Sequence, residues 1–394
     1  MTTTIDRVAT FEYLGVDPAL VAALASQGIT HPFAVQCEAI PDALAGRDVC
    51  GKAKTGSGKT LAFGLPLLMR SAKAKRRRPV GLVLVPTREL AMQVHEVLEP
   101  LGEAVGRSMA LLYGGADIER QIKKLHQGAD IVIATPGRLI DLVDRREVEL
   151  ASVEVVVLDE ADRMADMGFL PQVDWLLRRI TAPHQTMLFS ATLDGDVDRL
   201  VRRHLSDPVL HEVESDQPTV EEMEHRFLQV HQMDKARVAA AICRGAKKAI
   251  VFVRTKRGVD RLVEQLRSEN VQAVAIHGDL RQAFREKALQ GFASGRMPVL
   301  VATDVAARGL DIDDVDVVVH YDPPEDHKAY LHRSGRTARA GGSGVVATLV
   351  LWDQIRDVER IQKRLSMCMP IVEVFSNDPR LGDLVSWKPD DGPS

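Results

Sequence analysis

"DVCGKAKTGSGKTLAFGLPLL", residues 48–68, reads as a short strand, a glycine-punctuated loop and an apolar helical segment. The loop "AKTGSGKT" (53–60) matches the phosphate-binding pattern G-x-x-x-x-G-K-[ST], with Ala53 in place of the first glycine. Gly56 and Gly58 let backbone N–H groups turn toward an anion, and the N-terminus of the following helix adds its positive end. Lys59 is placed to reach β- and γ-phosphates and Thr60 to help hold Mg2+. A strand, loop and helix in that order imply a nucleotide site at the end of a βαβ unit.

A nucleotide site of this kind needs an acid at a neighbouring strand end. "VVVLDEAD" (155–162) supplies one: Asp159 closes a strongly apolar run, where it can hold Mg2+, and Glu160 beside it can orient or deprotonate a water. Together they imply hydrolysis rather than binding alone. Further apolar runs at 80–85 ("VGLVLV"), 130–134 ("DIVIA"), 153–159 and 186–190 ("TMLFS") are apolar on both sides of the alternation, as in a parallel sheet buried on both faces. Helix-length segments such as 88–105 separate them, which is the rhythm of a doubly wound sheet.

The polar stretch 204–225 carries two prolines and no helical stripe, and reads as a last strand followed by a linker. The strand rhythm then restarts at 248–254, 271–278, 298–304, 315–322 and 344–351, with no visible sequence repeat. The 394 residues suit two domains. The reading is a first domain at 1–212, a linker at 213–225, a second domain at 226–371 and a short flexible tail at 372–394.

Apolar residues make up 45% of the chain and charged residues 27%, the balance of a water-soluble globular protein. The formal net charge of −4 excludes a protein that holds polyanions by bulk charge. Cys37, Cys50, Cys243 and Cys368 form no C-x-x-C pair, so neither a zinc site nor a redox pair is signalled. The start lacks a signal-peptide pattern, and no apolar run approaches the ~18 residues that would span a bilayer. The expectation is a cytoplasmic protein with no membrane contact.

"HRSGRTARAG" (332–341) packs Arg333, Arg336 and Arg339 close to Gly335, Gly341 and Gly342, far downstream of the phosphate loop. Phosphoryl transfer spreads negative charge over the γ-phosphate, and an arginine supplied from elsewhere neutralises it. The cluster is read as such a donor, with Arg336 and Arg339 arriving when the domains close.

The ordered motifs resemble those of DEAD-box RNA helicases over roughly residues 11–350. The resemblance implies two tandem RecA-like domains, each a mostly parallel sheet flanked by helices. It also implies an RNA-stimulated ATPase that unwinds short duplexes or remodels RNA–protein complexes. "GITHPFAVQ" (28–36) is similar to the family's adenine-reading motif, with Gln36 on the base edge and Phe11, seventeen residues before Gly28, stacking on the base. ATP is the implied nucleotide, held by Lys54, Thr55, Gly56, Ser57, Gly58, Lys59 and Thr60, with Asp311 near the ribose. RNA-facing positions implied in the first domain are Pro86, Thr87 and Arg88, Gly114 and Gly115, and Thr135, Pro136, Gly137 and Arg138. "SAT" (190–192) resembles the motif that couples the ATP and RNA sites.

In the second domain the resemblance points to Thr255, Gly278, Gln282, Arg285, Thr303 and Asp304. Ser334 and Ala338 replace the commoner Ile and Gly of the last motif. RNA is gripped by its backbone with little sequence preference. The resemblance leaves open ribosomal or RNA-decay protein partners, and a monomer is the default. A DNA helicase and a non-unwinding RNA clamp are the alternatives. The basic run "KAKRRR" (73–78) is read as a solvated loop between a helix and a strand, ahead of a dedicated RNA contact.

Overall fold

A computed structural model describes residues 10–53, 57–193, 195–212, 223–280, 282–307, 315–337, 344–384 and 386–387. The chain divides into two compact units, residues 1–215 and 216–394.

The first unit is built on seven strands: β1 (Val49–Lys52), β2 (Gly81–Leu84), β3 (Met109–Leu112), β4 (Ile131–Ala134), β5 (Val155–Asp159), β6 (Gln185–Ser190) and β7 (Val209–Glu212). They form one sheet in the order β3-β4-β2-β5-β6-β1-β7, with every described pairing parallel. The apolar runs explain this directly. Successive side chains point to opposite faces, so Val155 and Val157 enter one core while Val156 and Leu158 enter the other. The first core is covered by α1 (Pro18–Ser26), α2 (Ala34–Leu44), α3 (Lys59–Arg70) and α4 (Arg88–Ala104). The second is covered by α5 (Ile118–Gln127), α6 (Pro136–Asp144), α7 (Ala161–Asp166), α8 (Leu170–Leu177) and α9 (Asp196–His204).

The second unit repeats the plan. Its strands are β8 (Glu224–Gln229), β9 (Ala249–Phe252), β10 (Ala273–Ile276), β11 (Val299–Ala302), β12 (Val317–His320), β13 (Val345–Val350) and β14 (Ile371–Glu373). Their order is β10-β11-β9-β12-β13-β8-β14, again parallel throughout. Counted from each unit's first strand, the two orders are identical. The helices are α10 (Lys235–Gly245), α11 (Lys256–Ser268), α12 (Gln282–Ala293), α13 (Asp304–Ala307), α14 (His327–Ser334) and α15 (Ile355–Arg364). Among the described residues, no helix is long and apolar enough to cross a membrane.

Two expectations need correction. β8 begins at Glu224, inside the stretch read as linker. Residues 372–394 are not a flexible tail as far as the described residues extend. β14 pairs with β8, and Val374, Leu381, Leu384 and Trp387 are buried in the second unit's core. The Arg226 guanidinium donates to the Trp387 carbonyl, and Arg380 lies over the indole ring at 4.6 Å. Removing a buried Trp side chain costs about 3 kcal/mol or more. Trp387→Ala should therefore lower the second unit's unfolding midpoint in a thermal or urea melt and leave the first unit's transition in place. An unchanged melt would show that the segment is not part of the core.

Candidate nucleotide and nucleic-acid site

In a parallel sheet the crevice at the strands' C-terminal ends collects the loops that bind ligands. In the first unit β5, β6 and β1 lie side by side, with Asp159 beside Phe189 and Lys52 beside Ser190. The phosphate loop leaves the end of β1 and Asp159 closes β5, so the topology brings them to one place. Gly58 is the N-cap of α3 with φ +84°. A Cβ at Gly58 would come within 2.5 Å of Gln36 Nε2 and 2.6 Å of the Phe33 ring. Only glycine fits that conformation and that space. Because α3 starts at Lys59, the first amides of the helix point out of its N-terminus without helical acceptors.

Gln36, 1% exposed, ties α2 to this loop. Its Oε1 accepts from the Phe33 amide at 2.9 Å, and its Nε2 donates to the Gly58 carbonyl at 2.9 Å. One N–H and one lone pair are left on the amide for a base edge. Phe11 is placed differently from its expected role. It is 2% exposed and packed in the apolar core, so its ring is not offered to a base. The aromatic surface at this spot is Phe33, 63% exposed and beside Gly58, which sequence reasoning missed although it lies within the quoted motif.

Lys59 Nζ lies 4.0 Å from Asp159 Oδ1, with both side chains buried. Burial pushes the Asp159 carboxyl up to about 6, against the pull of the Lys59 ammonium. A carboxylate desolvated this far gains from a further cation, so Asp159 with Thr60 on α3 suits a magnesium ion. Glu160 follows in the left-handed region at φ 53°, unusual for a residue with a side chain. Its carboxylate accepts from Arg163 Nη1 at 2.8 Å. Arg163 lies in the last turn of the six-residue α7 and is buried. Pairing with Glu160 offsets the cost of burying a cation. Ser190 Oγ accepts from the Asp162 amide at 3.1 Å and donates to the Thr192 carbonyl at 2.6 Å, joining "DEAD" to "SAT".

Loops after β3, β4 and β2, adjacent in the sheet, carry the positions expected to face RNA. Thr87 caps α4 and Thr135 is the N-cap of α6, with Pro136 at its first position. The Arg88 guanidinium lies against Gly115, where a Cβ would come within 2.7 Å of it. Arg138 donates to Gln121 Oε1 at 3.0 Å and to the Ala116 carbonyl just past Gly114 and Gly115. These residues thus form one cluster, separate from the phosphate loop but on the same sheet end. Gly137 is exposed and Pro86 buried within it.

In the second unit Thr255 caps α11, Gly278 follows β10 beside Lys256, and Thr303 follows β11. Arg285 is buried. Asp304, expected near RNA, has both carboxylate oxygens engaged by Arg333 at 2.5 and 2.6 Å. Arg333 also donates to the Asp322 carbonyl at 2.7 Å and stacks over Phe252 at 5.3 Å. Arg336 is half-exposed just past α14, and Thr337 Oγ1 donates to the Val315 carbonyl at 2.5 Å, which pins the loop that carries it. Tyr330 anchors the inner side of α14 among buried His225, His320 and Thr348, with its hydroxyl 2.7 Å from His225 Nδ1 and its ring edge-on to His320. Nothing in the sequence signalled that support. Lys54, Thr55, Gly56, Asp311 and Arg339 lie outside the described residues, as does the Gln282 side chain.

Residues 33–200 match the model of the DEAD/DEAH box helicase family, and 234–341 that of the helicase conserved C-terminal domain. The DEAD-box ATP-dependent RNA helicase CshA of Bacillus cereus is 41% identical over 362 residues, covering 91% of this chain and 69% of that protein. CshA of Geobacillus kaustophilus is 42% identical over 363 residues, covering 91% and 77%. Among solved structures, S. cerevisiae Dbp5 bound to RNA and ADP BeF3 aligns with a TM-score of 0.79 at 28% identity, over 94% of this chain and 96% of that one. Mss116p bound to ssRNA and AMP-PNP aligns with a TM-score of 0.81 at 25% identity, over 94% and 80%.

Proposed function

The chain belongs to the DEAD/DEAH box helicase family of ATP-dependent RNA helicases, and on that premise we propose how its residues divide the work. The carrying observation is that the buried side chains of Gln36, Lys59, Asp159 and Glu160 gather around Gly58 at one sheet end. Gln36 and the open face of Phe33 meet the adenine. Gly58, Lys59 and the first turn of α3 hold the phosphates. Thr60 and Asp159 are the residues that would hold magnesium, whose charge neutralises the β- and γ-phosphates when bound. Glu160, held by Arg163, orients the attacking water and takes its proton.

The clusters around Arg88, Gly115 and Arg138, and around Thr255, Gly278 and Thr303, grip RNA phosphates and 2′-hydroxyls across the two domains. Arg336 and Arg339 supply charge to the γ-phosphate once ATP and RNA favour the closed form together. Closure strains one strand and separates a short duplex, and hydrolysis reopens the clamp. The setting we assign is a cytoplasmic monomer acting on ribosomal or RNA-decay assemblies.

The experiment is ATP hydrolysis with no nucleic acid, with RNA and with DNA of the same sequence. The reading requires RNA to raise turnover well above the other two conditions. Equal rates in all three would reject it.

A further inference from the structure

The basic run at 73–78 is a built surface rather than a free loop. It joins α3 to β2. The Ala74 amide and Lys73 Nζ both bond Asp130, at 2.7 and 3.0 Å. Lys75 and Arg78 form an antiparallel bridge. The Arg77 amide donates to the Leu125 carbonyl at 3.3 Å, and the Arg77 carbonyl accepts from the Glu149 amide at 2.9 Å. Arg78 pairs with Glu149 at 2.8 Å. Asp130 and Glu149 thus account for two of the run's five cations. Among the described residues, no ion pair involves Lys75, Arg76 or Arg77, and the Arg77 Nε is buried without a hydrogen-bond partner.

Backbone conformation adds a second observation. Arg77 has φ 64°, and Arg146, three residues before Glu149, has φ 60°. Arg146 stands where a helix end turns left-handed: its amide donates to the Val143 carbonyl at 2.9 Å, and the Glu147 amide to the Leu142 carbonyl at 2.8 Å. That position is ordinarily glycine or asparagine. Two arginines held in a conformation that disfavours side chains, on segments bonded to each other, point to a use for their guanidinium groups. Arg146 is exposed and has no ion pair among the described residues.

Topology locates this cluster. It precedes β2, β4 and β5, whereas the expected RNA loops follow β2, β3 and β4. The sheet is parallel, so the two lie at opposite ends, separated by at least the roughly 13 Å of a four-residue strand. We propose that Lys75, Arg76, Arg77 and Arg146 form an accessory phosphate-binding site for RNA that extends beyond the core tract. This rests on the helicase reading above.

Guanidinium forks match phosphate oxygens in pairs, and a chain of net charge −4 can hold flanking RNA only through such a local patch. Neither segment contributes an exposed large apolar side chain, which a membrane-inserting surface needs.

The test uses the full chain with two RNAs: one filling only the core tract, and one with the same tract extended by a flanking stem. The variant is Arg76→Ala/Arg77→Gly/Arg146→Gly, whose glycines suit the left-handed positions and should not lower the melting temperature. The extended RNA should bind about tenfold more weakly to the variant, with the short RNA unaffected. The slope of log affinity against log salt for the extended RNA should fall by about 2–3, close to one per cation removed. Equal affinity for the extended RNA, or an equal loss on both RNAs, would overturn the proposal. So would unchanged binding of the extended RNA alongside lost binding to phosphatidylserine vesicles or to polyglutamate, which would assign the patch to a membrane or an acidic protein. If the short RNA fails to stimulate the wild-type ATPase, the helicase reading itself fails. If it stimulates normally and the stem gains nothing from the cluster, only this inference does.

Discussion

Arg336→Ala should lower RNA-stimulated ATP turnover by about a thousandfold or more, in the range of arginines that neutralise a transferring phosphoryl group, while ATP affinity in the absence of RNA stays within a few-fold. The expectation follows from how α14 is held. Arg333 is spent on the Asp304 carboxylate and the Asp322 carbonyl. Tyr330 is fixed in the buried cluster of His225, His320 and Thr348. Thr337 anchors the far side. The segment between these fixed points carries Arg336, which is half-exposed. A donor needed only for charge that develops in the transition state changes the rate and not ground-state binding. Pre-steady-state hydrolysis beside equilibrium nucleotide binding separates the two. Equal losses in both would make Arg336 an ATP-binding residue instead.

Much of this architecture is legible in the chain because buried parallel strands must be apolar on both faces. "VVVLD" could hardly be anything else, and the glycine-rich loop and the "DEAD" acids announce their chemistry. β8 was not legible because "EHRFLQ" carries His225 and Arg226 into the interior. Their partners, Tyr330 and the Trp387 carbonyl, stand 105 and 161 residues away. A polar residue whose partner lies so far off reads as linker. The C-terminal segment failed for a related reason. Leu381, Leu384 and Trp387 recur every third residue, but in a short polar segment broken by Pro379, Gly382 and Pro389 that reads as tail, yet they fill one core. Phe11 and Phe33 make the same point within the site: proximity to Gln36 in the chain does not say which ring is buried, and packing decides it.

Glu160→Gln should bind ATP and RNA as the wild type does and lose about a hundredfold to ten-thousandfold in turnover, the usual contribution of a positioned general base. Glutamine keeps the shape, and its carbonyl can still accept from Arg163 Nη1. What disappears is the negative charge that orients a water and takes its proton. The pair gives a sharper form of the experiment. With Arg163 gone, Glu160 would keep its charge but lose the contact that fixes its carboxylate at the N-cap of α7. Arg163→Ala should then cost about tenfold to a hundredfold in turnover, as misplacement by about 1 Å does, with Arg163→Lys losing less. In the Glu160→Gln background the same Arg163→Ala change should cost little further, because two residues serving one step are not additive. A purely structural arginine would lower turnover by the same factor in both backgrounds. Normal turnover by Glu160→Gln would remove the base from its assigned role and leave Arg163 with nothing to position.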